Sequence, residues 1–327
     1  LLLFFIKIRS LCYYYGKDLY YINLIFKYIM KIYDCFMFFD EEMLLDLRLN
    51  VLNNYVDKFV ITEATYMHSG KPKELSFDIN KFSKFKEKII YIVVEDSPPD
   101  LEIINDNDGK EKISAKTQSN AYKRHIYQLE KTRLGISDAY PEDIIIVGDL
   151  DEIPNLEKIN FKKIKQKLIF FKQKMFYYKF NLLLDKMSWC GSKSCKKKDL
   201  LSPQWLRNIK DKKYPFWRID TIFSKKKYND IHFVKNGGWH FSNIKTPEKI
   251  HQKLKTSLHH YEYEQSNIGP KEINQMINQR KPVYELQKNS SEAKDRAHTS
   301  LKITGLENLP SYIQENKKKF EQWIIRN

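Results

Sequence analysis

A chain of 327 residues, 42% hydrophobic and 14% aromatic, can bury a sizeable core as one large α/β domain or two domains, which excludes a disordered tail. Its net charge of +16 admits nucleic acid, phosphate-bearing ligands or an anionic membrane as partners; yet 48 of the 57 basic residues are Lys, whereas readers of bases and phosphates lean on Arg forks, so no specific nucleic-acid partner is expected. Four cysteines (Cys12, Cys35, Cys190 and Cys195) without a CxxC pair exclude a disulfide scaffold; Cys190 and Cys195 read as two free thiols, or as a pair that closes a small loop in an oxidising compartment.

No apolar run reaches the roughly 18 residues of a membrane-spanning helix. The opening Leu1 to Ile6 is apolar but is broken by Lys7 and Arg9. It reads either as the remnant of a signal anchor, which implies a Golgi or membrane-associated protein, or as an extension ahead of Met30, which leaves a cytoplasmic one. Membrane association is expected only in the first case. The domains expected are an extension over 1–29, a main domain over 30–285, and a linker with a helix over 286–327.

From Lys31 strands and helices alternate. Ile32–Phe39 predicts a buried strand, Glu41–Tyr55 a helix with a leucine-rich face, Phe59–Thr62 a second strand and Ile89–Val94 a third. Residues 100–112, acidic and rich in Asn, predict a mobile loop. Ser114–Leu134 predicts a long helix and Ile144–Val147 a fourth strand. A Lys-rich stretch from Lys162 to Lys198 holds an aromatic, strand-like run over Phe170–Phe180, and it reads as a solvated face or as a groove for an anionic substrate. Further strands are expected over Phe216–Phe223, Ile231–Val234 and Gly237–Ser242, and helices over Pro247–His260 and Pro310–Ile325. This alternation predicts a mostly parallel sheet with ligands beyond the carboxyl ends of its strands.

At that address stands Gly148-Asp149-Leu150-Asp151-Glu152-Ile153-Pro154. In extended backbone Asp149 and Asp151 project to one face, and two adjacent carboxylates repel unless a cation sits between them. Hard oxygen ligands suit Mg²⁺ or Mn²⁺, and such an ion grips a diphosphate. The alternative is an acidic turn that caps a helix starting near Pro154. Trp205, Trp217 and Trp323 read as packing residues, with Trp217 beside Arg218 alternatively stacking on a sugar.

Five ordered blocks resemble glycosyltransferase family 17, whose best-known members are β-1,4-mannosyl-glycoprotein β-1,4-N-acetylglucosaminyltransferases. They are Asp34–Phe39 with Glu42–Leu49; Val60–Thr65 leading to Ser69–Lys73; Asp143–Pro154; Gly238–Ser242 with Thr246–Glu248 and Lys253; and His260–Tyr263. The resemblance covers about Lys31 to Arg280. It implies a GT-A-like, Rossmann-type nucleotide-sugar-binding fold, with a mixed, mostly parallel sheet flanked by helices. It also implies UDP-GlcNAc as donor, a divalent metal (Mn²⁺ before Mg²⁺) and inversion at the anomeric carbon, GlcNAc passing in β-1,4 linkage to a mannose-containing glycan or glycoprotein acceptor.

On that resemblance Asp151 is the first metal ligand, Asp149 a ribose or second metal contact, and His240 a further metal or diphosphate ligand. Glu63 faces the nucleoside, while Lys71, Lys73 and Arg124 counter phosphate charge. Glu152 and Glu262 are the candidates for the base that takes the acceptor's proton. Two other readings stand beside this one: a non-catalytic glycan-binding relative, and a metal-dependent nuclease or nucleotidyltransferase, which needs further clustered carboxylates.

Overall fold

The computed structural model describes residues 30–256, 263, 266, 268–282 and 300–326, apart from 213, 216 and 222. The chain divides into Leu1–Lys31 and Ile32–Asn327, and the fold is that of the second unit.

Short runs of Ile, Val and Phe pair in parallel as β1 (Ile32–Met37), β2 (Lys58–Ala64), β3 (Ile89–Val94) and β4 (Ile144–Val147), in the order β3-β2-β1-β4. Apart from β3 at the edge these strands are almost wholly buried, as strands covered on both faces must be. Beyond β4 the sheet becomes mixed. β9 (Lys193–Lys196) lies antiparallel between β4 and β6 (Leu168–Phe171), and β10 (Ile231–Val234) completes it parallel to β6.

Side-chain alternation sends neighbouring residues of each strand to opposite faces. Tyr33, Cys35, Ile145 and Val147 join one core with Leu129 of helix α2 (Lys110–Glu130), Ile136 beyond it, and Leu206 of α3 (Pro203–Asn208). Asp34 and Phe36 point the other way, onto Arg48 of α1 (Glu42–Leu52). Helices therefore flank both faces of the sheet.

A second sheet has the order β12-β8-β7-β11-β5, from β12 (Leu301–Ile303), β8 (Leu182–Trp189), β7 (Gln173–Tyr177), β11 (Gly238–Ser242) and β5 (Glu152–Pro154). Its Met175, Tyr177, Leu184 and Leu301 bury Ile250 of α4 (Pro247–Thr256) and Ile273 of α5 (Pro270–Asn278). Only Gly148–Asp151 separates β4 of the first sheet from β5 of the second, so this turn lies on the seam between them. The aromatic run over Phe170–Phe180 likewise crosses from one sheet to the other, changing at Lys172.

Several expectations are corrected. No helix starts at Pro154, because Glu152, Ile153 and Pro154 pair with His240, Trp239 and Gly238. The described residues of 216–223 form no strand but a 3-10 turn at Ile219–Thr221, and Trp217 is largely exposed. The loop after β3 is pinned: Asn120 bonds both backbone groups of Glu102 (2.7 and 2.8 Å), and Lys116 bonds the Ile103 carbonyl (2.7 Å).

The final helix shrinks to α6 (Ser311–Glu315). Phe320 must enter the core against Phe180, and Asn181 clasps the backbone of Ile325, so the chain leaves helical geometry to follow the sheet. Residues 300–326 thus extend the second sheet and its packing instead of forming a linker with one helix. Cys35, Cys190 and Cys195 are free thiols. Of the His260–Tyr263 block all but Tyr263 lies outside the described residues.

Candidate active site

The site begins with a buried ion pair. Asp34 and Arg48 have side chains with no solvent exposure, and taking two charges out of water is costly unless every donor finds a partner. Arg48 comes close to meeting that condition. Its Nε and Nη2 donate to the two Asp34 oxygens (2.8 and 2.7 Å), and its Nη1 donates to the carbonyls of Asp149 (2.7 Å), Leu150 (3.2 Å) and Glu152 (2.9 Å). Three carbonyls drawn to one nitrogen wrap the seam turn around the guanidinium. Asp149 and Asp151 therefore sit on a turn rather than on extended backbone, and their carboxylates go to different partners.

Asp149 shares Arg207 with Glu152. The guanidinium donates to Asp149 Oδ2 (2.6 Å) and to Glu152 Oε2 (2.5 Å). Glu152 also accepts from Trp189 Nε1 (2.7 Å) and from the Asp149 amide (2.7 Å). Burial raises the Glu152 pKa, but Arg207 and His240 outweigh burial and hold it below the usual carboxylate range. The Asp149 side chain keeps 36% of its exposure. Crowding by protein, then the charges of Glu152 and Asp151, push its pKa up to about 6 against the pull of Arg207. Its Oδ1 is buried and has no hydrogen-bond partner.

Asp151 faces His240 Nε2 (3.7 Å) and Lys253 Nζ (4.0 Å). His240 and Lys253 overcome its burial and keep its pKa well below the ordinary value. Burial pulls the His240 pKa down, but Asp151, Glu152 and Asp149 together leave it raised, while its Nδ1 is buried and unpartnered. The charges continue outward: Glu41 meets Lys253 (3.7 Å) and Lys245 (3.3 Å), and Lys245 also bonds Asp40 (2.5 Å).

The remaining expected residues divide. Glu63 lies at the end of β2 as expected, but Lys73 returns to it from the following loop and the two are buried against each other. Glu63 also accepts from Tyr91 (2.8 Å) and the amides of Ser76 (2.7 Å) and Phe77 (3.1 Å). The pair is neutral and internally satisfied, so it braces the loop after β2 instead of offering a free carboxylate and a free cation. Arg124 lies over Gly70 and donates to the His68 carbonyl (3.1 Å). Lys71 lines a cavity of about 840 Å³ with Met67, His251, Lys255, Tyr263 and Ile268. Glu262 lies outside the described residues.

Sequence reasoning missed Asp34, Arg48, Glu41, Trp189 and Arg207. It also missed His125, whose ring meets His68 edge-on at 5.2 Å and whose pKa is driven down to about 3 by burial, His68 and Arg207. Asp34 and Arg48 fall inside the first family block, and a lone acid and base on an apolar strand and helix were the signal available.

Among the described residues no three His, Cys, Asp or Glu side chains converge as a ready-made metal cluster. Asp149 Oδ1 is unpartnered and Asp151 has only long contacts, so these two carboxylates keep oxygen that a hard divalent ion could use.

The fold and site define an α/β protein with an acidic turn and an arginine clamp where two sheets meet. The chain belongs to glycosyltransferase family 17, whose family model matches residues 7–207. It is similar to the β-1,4-mannosyl-glycoprotein 4-β-N-acetylglucosaminyltransferases of Homo sapiens (25% identical), Rattus norvegicus (26%) and Mus musculus (25%), each over 243 residues. The matched part is 65% of this chain and 40% of each relative, so the chain spans well under half the length of the curated relatives it matches.

Proposed function

We propose that this chain is an inverting glycosyltransferase of GT-A type that moves GlcNAc from UDP-GlcNAc to a mannose-containing glycan. The observation that supports this best is the seam turn of a family 17 chain, folded around Arg48 so that Asp149 and Asp151 stand partly open at the strand ends. That is where doubly wound sheets bind nucleotides. A divalent ion, Mn²⁺ before Mg²⁺, would be held by Asp149 and Asp151 and would offset charge on the diphosphate.

The protein's own residues supply the rest. Arg207 fixes the Asp149 carboxylate, and Lys253 and His240 steady Asp151. The acceptor oxygen bonds to the anomeric carbon as the bond from that carbon to the diphosphate oxygen breaks, UDP departs, and a carboxylate takes the hydroxyl proton. Both Glu152 oxygens are engaged by Trp189, Asp149 and Arg207. We therefore assign Glu152 to positioning and Glu262 to the proton.

Calorimetry of UDP-GlcNAc with and without Mn²⁺ tests the donor site. The wild type is expected to bind in a Mn²⁺-dependent way and Asp151→Ala to lose that dependence; equal affinity in the two proteins refutes the assignment. Glu262→Gln is expected to lower turnover by about 10²–10⁴-fold with donor affinity intact. Lost donor binding in that variant would remove Glu262 from the role.

A further inference from the structure

The segment from Lys210 to Tyr228 is a tied loop with an apolar, basic tip. Its ends are closed by the Lys210 amide on the Lys226 carbonyl (2.8 Å). Trp205 of α3 reinforces this closure, donating Nε1 to the Lys225 carbonyl (3.1 Å) and meeting the Tyr228 ring edge-on at 5.7 Å. Between the ties Trp217 is 66% exposed, Ile219 69% and Phe223 83%, although 53 hydrophobic side chains elsewhere among the described residues are buried. The same stretch carries six Lys and Arg218 against two acids. One acid, Asp220, is already neutralised by Arg218 (2.6 Å) and Lys227 (2.7 Å).

We propose that this loop docks the protein on an anionic lipid bilayer, with Trp217, Ile219 and Phe223 entering the interface and the lysines meeting the headgroups. Charge complementarity selects this occupant. The cores of protein–protein interfaces are depleted in Lys, whereas a lipid interface takes up aromatic and aliphatic side chains and draws Lys to its negative surface. Isolated exposed hydrophobics are ordinary; three within seven residues, in a loop closed by its own contacts and ringed by lysines, are not. The inference depends neither on the donor nor on the metal proposed above. It differs from anchoring by residues 1–29, because the loop lies against the surface and spans nothing.

The test uses the full chain with vesicles of phosphatidylcholine alone or with about one third phosphatidylserine, read by co-sedimentation. Binding is expected on the anionic vesicles, weakening as salt screens the headgroups. The doubly substituted Trp217→Ser/Phe223→Ser protein is expected to bind about tenfold more weakly with its melting temperature unchanged. Because residues 1–6 are themselves apolar, a second readout isolates the loop: brominated lipids are expected to quench a fluorescence component present in the wild type and missing from Trp217→Phe.

Equal quenching of the two proteins overturns the proposal, as does equal binding of wild type and double variant. Sedimentation velocity showing a dimer that the double variant loses would make this face a contact between copies, and that outcome also overturns it.

Discussion

Arg48 shows how one residue can fix a site from beneath. Its planar fork binds Asp34 with two nitrogens and gathers three carbonyls of the seam turn with the third. A lysine has the charge but not the fork. Arg48→Met, which leaves Asp34 buried without its partner, is therefore expected to destabilise the fold by about 3–5 kcal/mol, with Arg48→Lys recovering only part of the loss. Urea denaturation measures this, and a cost below about 1 kcal/mol would show that the turn holds without it. Arg207 acts on the open side. Since it spans two carboxylates, Arg207→Gln is expected to lower kcat/KM by about 10²-fold, with Arg207→Lys rescuing little of the loss. Full activity in the lysine variant would separate Arg207 from the site.

At the level of elements, the loop after β2 is closed tightly enough to need a glycine. The Met67 amide donates to the Lys71 carbonyl (2.8 Å), the Lys73 amide to the Thr65 carbonyl (2.8 Å), and Gly70 turns with φ +90°. A Cβ on Gly70 would also lie 2.7 Å from Arg124 Nη2. Gly70→Ala thus meets both a strained backbone and a cation in its way, and it is expected to cost about 1–3 kcal/mol in thermal unfolding. Adding Arg124→Ala should recover the steric part only; complete recovery would show that φ carries no penalty. The turn was legible as Ser69-Gly70-Lys71-Pro72, whereas the presence of Arg124 above it was not, since helix α2 arrives there only through the crossover from β3.

For the molecule as a whole, burial dominates the titration of several uncharged groups. It raises the pKa of Cys35, pushes Cys190 and Tyr66 each up to about 12, and raises Cys195 as well. In the unfolded chain thiols lose their protons near about 8.5. Above that pH the unfolded state binds fewer protons than the native one, so stability falls as pH rises. The contribution is complete below about pH 8.5 and is lost progressively towards the raised folded-state values, near 12 for Cys190. Lys193, lowered to about 8 by burial and Arg207, acts in the opposite direction over the lower part of that range. All three thiols are shifted strongly, whereas among the lowered amines only Lys193 is, Lys179 and Lys197 moving less, so the melting temperature is expected to drop between about pH 8.5 and 10.5 by calorimetry. A flat or rising profile would contradict the burial of the thiols.

Local pattern in the amino-acid sequence determined the four parallel strands, the helices between them and the place beyond β4 where the carboxylates stand, because strand and helix periods are written in neighbouring residues. It also carried family membership, through blocks in order. What tertiary structure alone decided is the company those carboxylates keep. Arg48 reaches Asp149 across 101 residues and Arg207 reaches it across 58. The ladder that sets His240 opposite Glu152 exists only because β5 leaves the first sheet for the second. No local period encodes such meetings; they depend on where the crossovers bring each element to rest. For the same reason Glu63 and Lys73, each plausible alone as a ligand contact, proved to be partners of one another.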